Sequence, residues 1–147
     1  MRFLLFALAL GATTAAFSAC AAPTQTTGSS CPPVPFVLPQ LLYPRPGATA
    51  VPVDTSSAVV ADASGTSGTP GTYQLVTAAL TVPLGPLTAP PSPLPSPIAT
   101  PGPPFYLSFG LALPPLTAAT TYTLDFVYVG CPPGTTTDKL GSFTTAH

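Results

Sequence analysis

Ten of the 22 residues at positions 83–104 are proline. Proline has no backbone N–H and a fixed φ, so this stretch cannot be a helix or a central strand. Polyproline II or irregular coil remains. Thirteen further prolines bring the total to 23, and they cut most of the remaining chain into pieces too short for anything but strands and turns. Pro35 and Pro39 flank or interrupt the first apolar piece, Phe36 to Tyr43, which predicts an edge or split strand. Neither side of the proline-rich segment has enough apolar strand to close a core alone. It therefore reads as a long loop within one domain, an unusual length for a compact fold.

The clearest periodicity lies in Thr121-Tyr122-Thr123-Leu124-Asp125-Phe126-Val127-Tyr128. Tyr122, Leu124, Phe126 and Tyr128 share one face and Thr121, Thr123, Asp125 and Val127 the other, the pattern of a half-buried antiparallel strand. A second strand is expected over 105–111, others over 57–61 and within 72–82, and a short closing strand at Gly141-Ser142-Phe143-Thr144-Thr145. No helical stripe appears after the first 20 residues. About seven short strands separated by turn signals predict an all-β fold, a β-sandwich.

Arg2 followed by the apolar run Phe3 to Leu10, and then the small residues Ala16, Ser18 and Ala19, has the layout of an export signal. The stretch from Phe3 to Phe17 falls short of the roughly 20 residues that a membrane-spanning helix needs. Residues 1–19 are therefore read as a signal peptide, 20–33 as a flexible tether, and 34–147 as the folded domain with its proline-rich loop at 83–104. The junction Phe17-Ser18-Ala19-Cys20 resembles the bacterial lipobox, with Phe17 in place of the usual Leu. That resemblance implies lipid attachment at Cys20, a membrane-anchored chain at the cell envelope or surface, and the membrane as a partner. Cleavage after Ala19 or Ala22 by an ordinary peptidase is the alternative and would give a secreted protein.

Three cysteines are an odd number for an oxidising compartment. With Cys20 assigned to lipid or removed, Cys31 and Cys131 remain as a candidate disulfide closing a loop of about 100 residues, for which chain entropy predicts about 4.7 kcal/mol. The rival use is metal binding. Two thiolates and the terminal His147, the only histidine, make a poor site.

Several segments resemble the bacterial Ig-like, fibronectin-like modules of secreted and surface proteins. These are Tyr43-Pro44-Arg45-Pro46-Gly47-Ala48-Thr49-Ala50-Val51-Pro52-Val53-Asp54, then Leu116-Thr117-Ala118-Ala119-Thr120-Thr121-Tyr122-Thr123-Leu124, and the closing Gly141 to Thr145. The resemblance spans about 36–145 and implies an Ig-like/fibronectin-like sandwich; the proline-rich insertion departs from it. Independently of the family, a tyrosine at the start of a strand can bury its ring and hydrogen-bond the preceding turn, as in a tyrosine corner. Tyr122 is assigned that role, with Leu116 packed nearby.

Catalytic chemistry has little to work with. The chain contains no glutamate, and Asp54, Asp62, Asp125 and Asp138 form no recognisable pair. Glycoside hydrolysis needs two carboxylates about one bond, and a serine nucleophile needs a base that only a terminal histidine could supply. After Cys20, Arg45 and Lys139 face four aspartates for a net charge of −2. That excludes a phosphate-gathering patch and, with it, nucleic acid as a partner. No cofactor motif is present. The expectation is a non-enzymatic envelope lipoprotein whose single module is structural or contacts another envelope protein. The alternative is a ligand-binding, glycan-binding sandwich using Tyr43, Tyr73, Phe105, Tyr106 and Tyr128. The directions in which those rings point distinguish the two.

Overall fold

A computed structural model describes residues 37–63, 69–102, 105, 107–130 and 134–147. They form seven strands: β1 (Gln40–Tyr43), β2 (Ser57–Asp62), β3 (Thr72–Val76), β4 (Thr81–Pro83), β5 (Leu107–Ala112), β6 (Thr121–Gly130) and β7 (Gly134–Thr144). Two antiparallel sheets, ordered β1-β2-β5 and β4-β3-β6-β7, pack as an all-β sandwich. The pairs β2–β5 and β3–β6 join strands that are not consecutive, the mark of Greek-key connections.

Alternation on β6 turns Tyr122, Leu124 and Phe126 inward. They meet Leu41 of β1, Ala58 and Val60 of β2, Tyr73 and Leu75 of β3, Leu111 of β5 and Phe143 of β7 in one core. β7 is longer than the five closing residues of the sequence expectation. It starts at Gly134, because Thr135, Thr136 and Thr137 pair with Val129, Tyr128 and Val127 as the second arm of a long hairpin. Their polar side chains gave no apolar alternation to read.

The segment after β1 changes sheets. Gly47 N–H donates to Ser142 C=O at 2.7 Å, and Val51 forms a parallel bridge to Thr145, so residues 47–51 cover the free edge of β7 near its end. The exposed edge at β4 is only three residues long and stops at Pro83. Short, covered or proline-blocked edges resist pairing with other chains.

The proline-rich segment is more than a surface loop. It leaves β4, and Thr88 pairs reciprocally with Gly110 of β5 through two N–H···O=C bonds of 2.9 Å. It then reaches the opposite edge of the same sheet, where Ala99 N–H donates to the C=O of Leu42 at 3.0 Å. Leu42 is the extra residue of a β-bulge between the Leu41–Val60 and Tyr43–Val59 pairs. Its side chain joins Val59 and Ala61 in a second apolar cluster, against which Ile98, Ala99, Phe105 and Tyr43 pack. The strap is thus a third layer on the outer face of β1-β2-β5. It is also not one continuous polyproline II rod, since bends occur at Ser92–Pro93 and Ser96–Pro97.

Candidate functional site

Leu113-Pro114-Pro115-Leu116 brings the chain from β5 toward β6, and its two leucines are buried in the main core. Tyr122 follows at the second position of β6. Its ring stacks on Phe143, with centroids 5.6 Å apart, and its hydroxyl accepts the Thr117 N–H at 2.8 Å. Buried Thr145 ties down the same turn: its hydroxyl donates to Thr117 C=O at 2.6 Å and accepts the Thr120 N–H at 3.0 Å. Between them Ala119 is held at φ 51°, a left-handed conformation costly for a residue with a Cβ. Leu116 and Tyr122 are therefore brought together with Thr145 in a structural corner. Nothing in the periodicity singled out Thr145, one threonine among many near the C-terminus.

The aromatic candidates are taken up by packing. Tyr73 is buried, with its ring 5.0 Å from that of Phe126. Tyr128 packs on the same core, 5.6 Å from Phe126, and its hydroxyl donates to Asp138 Oδ2 at 2.8 Å. That hydrogen bond raises the Tyr128 hydroxyl above the ordinary tyrosine range. Tyr43 and Phe105 lie half-buried against the Leu42–Val59–Ala61 cluster, beside Ile98 and Ala99 of the strap. Tyr106 lies outside the described residues, as do Cys20, Cys31 and Cys131. The described residues with large exposed apolar side chains are Val53, Leu80, Leu94, Leu107 and Val129, none of them aromatic.

Asp62 is a buried residue at the end of β2. Its carboxylate accepts both the N–H and the hydroxyl of Thr69, at 2.8 and 2.9 Å. Tyr73 Oη is buried without a hydrogen-bond partner. Burial first, and the nearby Asp62 charge second, push its ionisation well above the usual tyrosine range. A groove of about 680 Å³ opens where the chain crosses from β4 to β5, lined by residues including Thr72, Tyr73, Pro86, Leu87, Thr88 and Phe109. No charged side chain lines it, and the Tyr73 hydroxyl is closed off from solvent and so from the groove.

Among the described residues no three of His, Cys, Asp and Glu come together as a metal site. Within the same residues no helix is long and apolar enough to cross a membrane. Among the described residues there is no nucleophile with a positioned base and no pair of carboxylates about a cleft. No family model matches the chain, and no curated protein matches it either.

Proposed function

We propose that this chain is a non-enzymatic lipoprotein of the cell envelope: a single Ig-like module, of the bacterial surface type, held on a tether from a lipid on Cys20. The module holds position at the envelope or contacts another component of it. One observation carries this over the ligand-binding alternative. Tyr73 and Tyr128 turn into the main core, and Tyr43 and Phe105 pack on the Leu42–Val59–Ala61 cluster beside the strap, so the described aromatics build the domain rather than a stacking platform.

A disulfide between Cys31 and Cys131 belongs to the same proposal: with Cys20 carrying the lipid, they are the two cysteines left to pair. A bridge needs Cα atoms within about 7 Å of each other.

Intact-mass analysis of protein recovered from the native membrane fraction tests the reading. A diacyl or triacyl mass on a chain beginning at Cys20 is expected, and a soluble product beginning elsewhere contradicts it. Alkylation with and without reduction should differ by two thiols; equal free-thiol content would remove the disulfide.

A further inference from the structure

Hydroxyl residues recur at every fourth position of the strap, at Thr88, Ser92, Ser96 and Thr100, and each of the last three precedes a proline. The fold separates the first from the others. Thr88 is consumed in holding the strap down: its hydroxyl donates to Gly110 C=O at 3.1 Å, and its backbone forms the reciprocal pair with Gly110. Ser92, Ser96 and Thr100 are exposed, and their hydroxyls make no hydrogen bond to any described residue.

The backbone around them is available as well. Prolines follow them at 93, 97 and 101, and the stretch lies outside the seven strands. The strap is pinned at Thr88 and Ala99, while Ile98 and Ala99 face the body of the domain. The free hydroxyls are thus displayed on a fixed surface rather than on a loose tail.

We propose that Ser92, Ser96 and Thr100 are acceptor sites for O-linked glycosylation by neutral hexoses. The donor class is a hexose on a polyprenyl phosphate, used by a transferase outside the cytoplasm. The Oγ attacks the anomeric carbon, the new C–O bond forms as the bond to the phosphate oxygen breaks, the hydroxyl proton passes to a base of the transferase, and the lipid phosphate leaves. Segments rich in Ser, Thr and Pro are the compositional setting of such sugars. Phosphate, the other modification of Ser-Pro, acts by pairing with Arg or Lys. Arg45 in the turn after β1 and Lys139 on β7 are the described cations, and neither belongs to the strap. Neutral sugars need no such partner, and they would hydrate a ridge on which Leu94 stands 48% exposed.

The inference rests on the envelope reading, and one preparation tests both. The chain is recovered from the envelope of the organism that encodes it, weighed intact, and fragmented by electron transfer, which retains O-linked sugars. Hexose increments confined to residues 92, 96 and 100 are expected. The triple variant Ser92→Ala, Ser96→Ala, Thr100→Ala should lose every increment with an unchanged melting temperature. A chain starting at a lipidated Cys20 with bare strap hydroxyls overturns the glycosylation and leaves the envelope reading standing. Phosphate increments, or sugars only at other residues, overturn it too. A cytoplasmic chain that keeps residues 1–19 overturns both.

Discussion

The outer face of β4-β3-β6-β7 carries Thr72, Gln74, Thr121, Thr123 and Asp125, while the outer face of β1-β2-β5 carries Leu42, Val59 and Ala61 beneath the proline-rich strap. The two central strands explain the contrast. β6 alternates, so one side meets the core and the other meets water. β2 does not: Ala58, Val59, Val60 and Ala61 are all buried, Ala58 and Val60 in the main core and Val59 and Ala61 under the strap. A strand apolar on both sides needs a cover on both sides. Full burial of a valine side chain contributes about 1.5–3 kcal/mol, so the second cover matters energetically even though it contains no strand.

The sharpest way to break this contrast is a matched pair of substitutions. Val59→Asp puts a carboxylate between β2 and the strap, where it has no charge partner, and should cost about 4 kcal/mol in urea unfolding. Thr123→Asp, on the open face, should stay within about 0.5 kcal/mol of the parent. Equal losses would mean that the faces do not differ as described. Next in size is Gly110→Ala on the β5 edge. Its Cβ would lie 2.9 Å from the Ala89 carbonyl oxygen and 3.0 Å from Thr88 Oγ1. Displacing the pinned end of the strap should cost about 2 kcal/mol, and a negligible loss would show the strap to be loosely held.

Inside the sandwich, Tyr73→Phe removes a buried hydroxyl that has no partner. A gain of about 1 kcal/mol at neutral pH is expected by thermal or urea melting; a loss would reveal a hidden bond. The same variant reads the pH dependence. Tyr73 holds its proton more tightly folded than unfolded, so its contribution is fully present below the unfolded tyrosine pKa of about 10 and is lost as pH rises beyond it. Tyr73→Phe should flatten the alkaline fall in stability. Smallest is Ala119→Gly, which relieves the left-handed φ of 51° and should gain about 0.5 kcal/mol after the added entropy of the unfolded chain. No change there would mean that the corner tolerates the strain.

Much of the sandwich was legible because its signals are local. Alternation over Thr121 to Tyr128 marks β6 and its inward face, and the prolines rule out helices. The Leu116–Tyr122 spacing points to a corner whose hydroxyl bond follows from strand geometry. The strap's role depended on a non-local fact, namely which apolar surface it would find. Its one sequence trace was the unbroken run Ala58-Val59-Val60-Ala61, which calls for a cover without naming it. Asp62 was hidden for a related reason: its partner Thr69 lies seven residues on, and nothing between them marks a buried carboxylate. Thr145 shows the same blindness, because its bonds reach back to Thr117 and Thr120 across the sheet end.

Native-state amide hydrogen exchange at Ala99 tests the third layer most directly, because its N–H reaches Leu42 C=O from the middle of a proline-rich segment. A strap that is part of the folded domain predicts protection at Ala99 close to that of core amides such as Leu124, with Thr88 and Gly110 protected alongside it. Exchange at Ala99 as fast as in an unstructured peptide, with the core amides still protected, would contradict it.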